Sequence, residues 1–326
     1  VAAAFAGAAL VAVAIGGPGQ LGVGSSGRPA AGLVATPLSA VLAVLVTSVG
    51  AVVVTYARRY LVQDPTAPAF AALSAAVVAG MTLVAGSATV AGLVAGWLVS
   101  GIAFVGIVRL RSDLPGTAEA ARRTAAAFAV GDGLLLLALV ALMARAGNVP
   151  LAPRALEGAV GSLGAWQVPV VVAIVVAALA RCAQWPFGRW LPATVAAPTP
   201  ACALLHAGVV NGGGILLIRT LPLAAGVTWI LTAVLVVAGA TAVAASAAVG
   251  RRPDVKGELA LSTMGQMGFM LAEVAVGAPV AAAVHLLGHG AYKASLFLGS
   301  GSGVRRLGAR PVRPTARSVI GRSAAT

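Results

Sequence analysis

The chain consists mainly of continuous apolar runs, separated by short stretches rich in arginine, glycine and proline. About ten of these runs are long enough, or nearly so, to cross a hydrocarbon core about 30 Å thick. Their apolar residues are continuous rather than alternating, which favours membrane helices over barrel strands. We therefore expect an all-α, polytopic helical membrane protein with about 10 transmembrane helices. The predicted segments are 1–16, 33–55, 68–87, 88–108, 124–143, 167–186, 195–218, 222–249, 259–276 and 279–298.

The composition excludes an ordinary soluble domain. Of 326 residues, 60% are hydrophobic and 9% are charged, whereas a soluble domain has about 25% charged residues. The formal net charge is +14, but the basic residues lie between apolar runs and are not interleaved with aromatic residues. The lipid bilayer is therefore the expected partner, and nucleic acid is not.

The positions of the basic residues predict the topology. Sixteen lysines and arginines lie in the C-terminal tail or in loops after even-numbered segments, and four lie in loops after odd-numbered segments. This bias predicts a multi-pass plasma-membrane protein with both termini in the cytoplasm. The stretches 16–32 and 144–165 are then external loops. We expect one transmembrane domain over residues 1–302 and an Arg-rich cytoplasmic tail over residues 303–326.

Ionisable residues inside the apolar segments are the main functional signal. A charge at mid-bilayer costs about 2.5–3.5 kcal/mol on insertion scales, so such residues usually face a polar interior and have a partner. Asp132 is flanked by two glycines that permit close helix approach. We expect it to pair with a buried cation or to carry a proton; a purely structural ion pair remains an alternative. The residues are Asp132, Arg181, His206, Glu273, His285, His289 and Lys293.

The stretch "ALARCAQWPFGRWLP" places a permanent cation, Arg181, five residues before a proline. Proline interrupts the hydrogen-bond ladder of a helix. We therefore predict a broken helix near Pro186, whose freed backbone groups line a polar cavity.

His206 follows a predicted helix start at two prolines and precedes a run of three glycines, 212–214. Because histidine titrates near neutral pH, it is a natural proton relay. The alternative is a neutral histidine bonded to a neighbouring helix. The glycine run favours tight packing over ligand binding.

The stretch "HLLGHGAYKASLF" places His285, His289 and Lys293 at positions i, i+4 and i+8. At about 100° per residue these side chains form one stripe on a helix. The pattern favours a proton or ion path over a structural polar seam. A metal site is disfavoured because no cysteine or adjacent glutamate completes a ligand set. Glu273 is a possible partner for Lys293, and Lys256 marks either the cytoplasmic end of the path or a membrane anchor.

Two long motif blocks carry a family resemblance. They are "RCAQWPFGRWLPATVAAPTPACALLHAGVVNGGGILLIR" and "RPDVKGELALSTMGQMGFMLAEV", the latter followed by "AAAVHLLGHGAYKASLFLGSGS". They resemble the antiporter-like proton-conducting membrane subunits of respiratory complex I and of Mrp-type antiporters. "TYARRYLVQDP", "AGWLVSGIAF" and "HAGVVNGGG" are most similar to the membrane subunit of DAB-type inorganic-carbon pumps. The resemblance covers about residues 33–304.

The resemblance implies a helical channel with a broken helix and a central polar axis. It assigns the path to seven residues and implies no cofactor, metal or catalytic residue in this chain. The implied partner is either a large soluble zinc-containing subunit or other membrane subunits of a respiratory or antiporter complex. The path residues are Asp132, Arg181, His206, Lys256, His285, His289 and Lys293.

The chain departs from the family pattern in three ways. Leu98 follows Trp97 where respiratory members have a glutamate, which favours the carbon-pump branch. Arg181 stands where the family has a lysine, and arginine cannot release its proton as a buried lysine can. The chain also stops several helices early, so we expect a fragment or a short member of the family.

These features predict a non-enzymatic, proton-conducting subunit that uses a cation gradient to drive a partner, with inorganic-carbon uptake as the driven process. One alternative is a subunit of a respiratory NADH-quinone oxidoreductase or an Mrp-type cation/proton antiporter. Another is a non-conducting, truncated scaffold subunit, which Arg181 and the short C-terminus favour.

Overall fold

The structure, a computed structural model, describes residues 19–23 and 31–308. The first predicted segment, 1–16, and residues 309–326 of the predicted tail lie outside the described residues. The last helix extends to Gly308 and so includes the first residues assigned to that tail.

Long helices follow a short antiparallel strand pair. Strands β1, Gly19–Val23, and β2, Ala31–Ala35, pair with Gly19 opposite Ala35. The helices are α1 Pro37–Tyr60, α2 Ala67–Gly86, α3 Val90–Arg109, α4 Thr117–Ala146, α5 Pro153–Leu163, α6 Gln167–Arg181, α7 Trp190–Ala193, α8 Thr199–Ala207, α9 Gly212–Thr220, α10 Trp229–Val249, α11 Val255–Ala275 and α12 Pro279–Gly308.

Seven stretches of the described chain are long and apolar enough to cross a membrane. Helices α1, α2, α3, α4 and α10 do so singly, α5 and α6 combine over Pro153–Arg181, and α8 and α9 combine over Thr199–Ala224. Helices α11 and α12, with 21 and 30 residues, match these stretches in length, but they carry several of the predicted ionisable residues. The prediction of an all-α, polytopic membrane protein is confirmed, and the predicted count of about ten helices is approximate.

Two helix starts, those of α1 and α5, differ from the prediction. Thr36 accepts a hydrogen bond from the Ser39 amide at the start of α1, which satisfies one of the free N–H groups of a helix N-terminus. Residues 33–35, assigned to this membrane segment, lie instead in β2. The predicted external loop 144–165 also contains helix α5, with Pro153 at its first position.

Glycines allow the helices to pack backbone against backbone. A Cβ placed on Gly80 of α2 would lie 2.7 Å from the carbonyl oxygen of Gly96 in α3. A Cβ on Gly213 of α9 would lie 2.5 Å from the carbonyl oxygen of Ala178 in α6. Small residues are the usual means of close helix approach in membranes. The glycine run 212–214 therefore serves packing, as predicted.

The first helix break follows Arg181 directly. Helix α6 ends at Arg181, five residues before Pro186. Ala183 then has a φ angle of 53°, a backbone conformation that residues other than glycine rarely adopt. The predicted broken helix is therefore present, with the cation at the last residue of the first half.

A second break divides the predicted segment 195–218. Helix α8 ends at Ala207, Gly208 has φ −126° and ψ −78°, and α9 begins at Gly212. The Asn211 side chain donates from Nδ2 to the Ala207 carbonyl at 3.0 Å, satisfying a carbonyl that the interrupted helix leaves free. The sequence alone did not predict this break.

Arginines hold the loops at both ends of α2. Arg111, which follows α3, forms an ion pair with Asp64, which precedes α2. At the other end of α2, Arg219 donates from Nη1 to the Val84 carbonyl at 3.0 Å and from Nη2 to the Ser87 carbonyl at 2.5 Å. These contacts tie the helix connections to distant parts of the chain.

Candidate functional site

Arg181 and Asp132 form a buried ion pair. The Nη2 atom of Arg181 lies 2.8 Å from Oδ1 of Asp132, and the two side chains are 1% and 13% exposed. Asp132 therefore has the buried cation partner that the sequence predicted. Such a pair needs good geometry and further hydrogen bonds to offset the desolvation of both charges.

Two aromatic rings enclose the Arg181 guanidinium. Its Cζ atom lies 4.2 Å from the centre of the Trp97 ring and 4.1 Å from that of Phe128. Trp97 also donates from Nε1 to the same Asp132 oxygen at 2.6 Å. We call Trp97, Phe128, Asp132 and Arg181 the arginine cluster. Sequence reasoning assigned no role to the two aromatic residues, because nothing in an apolar run distinguishes a ring that stacks on a cation.

Close helix packing positions this cluster. A Cβ on Gly131 would lie 3.2 Å from Cα of Ala177, so α4 approaches α6 closely enough to bring Asp132 to Arg181. Gly133, the other glycine beside Asp132, has no atom within 4 Å of an added Cβ. A Cβ on Gly101 of α3 would lie 2.7 Å from Nη2 of Arg181. Gly131 and Gly101 therefore make room for the ion pair.

The predicted stripe of His285, His289 and Lys293 lies along α12 with its last two members buried. The Lys293 Nζ atom donates to Ser262 Oγ at 2.8 Å and to the Leu259 carbonyl at 3.4 Å, both on α11. The His289 Nε2 atom is buried and has no hydrogen-bond partner among the described residues.

Glu273 pairs with His285, and the predicted partnership with Lys293 is wrong. Its Oε2 atom lies 3.1 Å from His285 Nδ1, and His285 Nε2 lies 2.9 Å from Oε1 of Gln266. Helices α11 and α12 are joined by a short turn and pack together. The end of α11 therefore faces the start of α12, whereas Lys293, two turns further along, faces an earlier part of α11.

His206 is completely buried, and neither ring nitrogen has a hydrogen-bond partner among the described residues. Its ring stacks on Phe297 of α12, with centroids 4.2 Å apart and planes 15° apart. The histidine does contact a neighbouring helix, but through its ring face instead of a hydrogen bond.

The second helix break lies between the arginine cluster and α12. A Cβ on Gly212 would lie 3.6 Å from Cζ3 of Trp97 and 3.8 Å from Cγ of Arg181. One residue earlier, Asn211 Nδ2 would lie 3.5 Å from a Cβ on Gly290, which follows His289 in α12. The break at Gly208 thus brings both groups of predicted site residues to one short backbone segment.

Within the described part of the chain, buried side-chain atoms without a hydrogen-bond partner are concentrated near this segment. They include both ring nitrogens of His206, Oδ1 of Asn211, Nε2 of His289 and Nε of Arg181. Buried polar atoms in proteins normally have a protein or water partner. Unpartnered buried atoms of this kind are the ones that internal water molecules satisfy in other proteins.

Lys256 lies at the other end of α11. Its Nζ atom contacts the carbonyl oxygens of Ala197 at 3.2 Å and Val195 at 3.5 Å. Lys256 is one helical turn before Leu259, whose carbonyl contacts Lys293. Lys256 therefore lies beyond Lys293 in the direction of the N-terminal end of α11. No three His, Cys, Asp or Glu side chains of residues 31–308 are arranged to hold a metal ion.

Comparison with known proteins agrees with these features. The family described as NADH:quinone oxidoreductase/Mrp antiporter, transmembrane, matches residues 87–314. The "Probable inorganic carbon transporter subunit DabB" of Bacillus subtilis is 38% identical over 202 residues, which are 61% of this chain and 40% of that protein. DabB1 of Halothiobacillus neapolitanus, described in the same words, is 33% identical over 252 residues, 76% of this chain and 45% of that protein.

A solved structure gives the same fold. The Mrp complex from Dietzia sp. contains a chain that is 30% identical and superimposes with a TM-score of 0.79, covering 91% of this chain and 33% of that chain. The present chain spans less than half the length of the two curated relatives. These comparisons and the fold describe a multi-pass membrane protein.

Proposed function

The chain belongs to the NADH:quinone oxidoreductase/Mrp antiporter transmembrane family, and we propose that it conducts protons to drive inorganic-carbon uptake by a partner. The names of the two curated relatives, both inorganic carbon transporter subunits, support the choice of driven process. The chain itself acts as a transporter subunit and contributes no catalytic group.

The observation that carries this proposal is the line of buried polar atoms between α8 and α12. Charged and titratable residues are expensive inside a membrane and usually mark ion or proton pathways. Both ring nitrogens of His206 and Nε2 of His289 have no hydrogen-bond partner among the described residues, so each histidine can exchange a proton with internal water. Lys293, held by Ser262, extends this line towards Lys256.

The arginine cluster has a different role in this mechanism. Arginine remains protonated, so Arg181 does not pass on a proton. Its charge is partly balanced by Asp132 at 2.8 Å, and it sets the potential in which the histidines titrate. His285, engaged by both Glu273 and Gln266, lies at the opposite end of the stripe from Lys293 and serves as the second opening of the path.

We assign the driven chemistry to a partner. The proposed partner is a large soluble subunit whose zinc hydrates carbon dioxide, bound to this chain at the plasma membrane with both termini in the cytoplasm. The Dietzia structure is of an Mrp complex, which supports assembly with further membrane subunits.

The direct test is proton flux in proteoliposomes containing the complete protein with its partner. His289→Ala and Lys293→Ala should each abolish flux, because each removes a titratable group from the line. Tyr292→Phe is the matched control, since Tyr292 is the exposed neighbour of Lys293 on the same helix. Normal flux in both alanine variants would exclude the assigned path.

A non-conducting scaffold is the second candidate, and the buried Arg181–Asp132 pair favours it. A fixed guanidinium between two rings cannot act as the lysine relay implied by the family resemblance. Under this alternative the native protein carries no flux and Arg181→Lys restores it. If the native protein carries proton flux and His289→Ala abolishes it, the chain is a conducting subunit and not a scaffold.

An Mrp-type or respiratory antiporter subunit remains a third candidate, favoured by the likeness to the Mrp complex. It predicts flux coupled to sodium or to quinone reduction instead of bicarbonate accumulation. Under the leading proposal, cells that lack the protein should fail to grow when inorganic carbon is scarce. Under this alternative they should instead lose sodium tolerance or respiration.

A further inference from the structure

An apolar groove runs along the outside of the bundle, beside the first helix break. We call it the Trp185 groove; it is bounded by Trp185, Pro186 and Arg189 on one side and by Val236, Ala240 and Ala248 of α10 on the other. Its volume is about 770 Å³, within the range of about 300–1,000 Å³ that is common for ligand pockets. It is therefore large enough for a ligand with a long apolar part.

The groove is open on its outer side, and its two walls are joined by a hydrogen bond. The Trp185 side chain is 70% exposed and Val236 is 65% exposed. The Trp185 amide donates to Thr241 Oγ1 of α10 at 3.2 Å, which holds the break segment against this helix. An exposed tryptophan of this kind is typical of the boundary between hydrocarbon and headgroups.

An exposed cation without a partner among the described residues lies at the end of the groove. This is Arg189, which makes no hydrogen bond or ion pair with another described residue. Two further exposed arginines, Arg251 and Arg252, follow Ala248 closely in the chain. The acidic residue nearest to these two arginines along the chain is Asp254. Its carboxylate caps α11 by accepting a hydrogen bond from the Gly257 amide at 2.6 Å.

We propose that the Trp185 groove binds one anionic glycerophospholipid. An acyl chain lies along the apolar walls, and the phosphate accepts hydrogen bonds from Arg189, for which the guanidinium is well suited. The positive charge and the absence of acidic side chains from the groove wall match an anionic headgroup. Because residues 182–189 connect the groove with Arg181, the bound lipid also restrains the break segment.

A second apolar groove provides a matched comparison. It lies between α4 and α6, has a volume of about 500 Å³ and also includes an arginine and a tryptophan. There, however, Arg145 lies 5.9 Å above the Trp166 ring, so its cation already has a partner. We expect no headgroup preference in this groove.

The experiment uses the complete protein with its partner subunits in vesicles that contain brominated phosphatidylglycerol or brominated phosphatidylcholine, each over the same series of mole fractions. The fluorescence lost on bromination is compared between the native protein and Trp185→Phe, which isolates the contribution of Trp185. Half-maximal quenching of Trp185 should need about fivefold less phosphatidylglycerol than phosphatidylcholine. Arg189→Gln should remove this preference, and Arg145→Gln should leave it unchanged.

Each other result overturns the proposal. Equal quenching by both lipids in the native protein means that the headgroup is not recognised. A preference that survives in Arg189→Gln places the recognition elsewhere. A Trp185 signal that neither lipid quenches means that a protein partner covers the groove.

Discussion

Arg181 at the end of α6 and Asp132 in the middle of α4 share one hydrogen-bonded ion pair, with 2.8 Å between Nη2 and Oδ1. The guanidinium lies between the rings of Trp97 and Phe128. A cation held in this way is a fixed charge inside the membrane protein. The helix break therefore begins directly after a guanidinium that stays protonated.

Removing one partner of this pair should be more damaging than removing both. Arg181→Met leaves the Asp132 carboxylate without its cation, and we expect it to lower the free energy of unfolding by about 3–5 kcal/mol. Combining it with Asp132→Asn should recover part of this loss, because no buried charge remains. Denaturant titration in detergent measures both. If the effects of the two changes simply add, the residues do not interact energetically.

The second donor to Asp132 gives a prediction for Trp97. Trp97→Phe keeps a ring beside Arg181 but loses the Nε1 hydrogen bond to the carboxylate, which is worth about 1.5–3 kcal/mol for a charged acceptor. The control is Trp190→Phe, where an equally buried indole donates to the neutral Ala180 carbonyl at 2.9 Å. The same stability measurement should give the smaller loss for Trp190→Phe; the reverse order contradicts the assignment.

Double-mutant cycles can check the partner of Glu273. Glu273→Gln and His285→Asn should couple by at least about 0.5 kcal/mol, because the side chains are in contact. Glu273→Gln and Lys293→Met should add without coupling. A coupling with Lys293 as large as that with His285 means that the carboxylate lies nearer the lysine in solution than in the structure.

Gly213 has no space for a side chain. A Cβ there would lie 2.5 Å from both the Ala178 carbonyl oxygen and Cys182 Sγ, so Gly213→Ala should destabilise the protein by about 1–3 kcal/mol through overpacking. Gly239 in the middle of α10 has no atom within 4 Å of an added Cβ. Gly239→Ala should be neutral or slightly stabilising, since alanine has the higher helix propensity. Thermal unfolding of the two variants side by side makes the comparison.

Asp64 gives the protein a pH-dependent contribution to stability. Hydrogen bonds from the Thr66 hydroxyl and amide, with the charge of Arg111, lower the pKa of Asp64 below its usual value of 3.8. The carboxylate therefore stabilises the folded state above pH 3.8, and this contribution disappears as the pH falls through the lower folded-state pKa. Asp64→Asn should lower the unfolding temperature at pH 7.

The difference between Asp64→Asn and the native protein should disappear in strong acid. Glu157→Gln is the control, because Glu157 is exposed on α5. It should leave the unfolding temperature unchanged across the same pH range. A constant Asp64→Asn deficit at every pH would mean that side-chain packing, and not charge, causes the effect.

The membrane helices, and the need of Asp132 for a buried cation, could be predicted from the sequence. Continuous apolar runs specify membrane helices by length alone, and a charge inside such a run needs a partner, but the sequence did not identify Arg181 as the partner of Asp132. The second break was not predictable in this way. Gly208 lies in an apolar run, and the interruption is visible only in its backbone angles.

The predicted partner of Glu273 was wrong because the sequence does not show which residues of two helices face each other. Charge complementarity favoured Lys293, but the short turn between α11 and α12 fixes which residues face each other. His285 is therefore the only stripe residue opposite the end of α11. The roles of Trp97 and Phe128 were missed because stacking on a cation depends on three helices meeting, which no local pattern reports.

The contact between Gly213 and Ala178 also affects how the protein can move. Backbones this close, with no side chain between them, leave α6 and α9 no freedom to slide or rotate against each other. Across the interior, α8 and α12 also approach each other closely, since a Cβ on Gly290 would lie 3.1 Å from the Ala207 carbonyl oxygen, and the rings of His206 and Phe297 stack in the same interface. We expect α6 and α9 to move together as one rigid unit, which includes the fixed charge of Arg181.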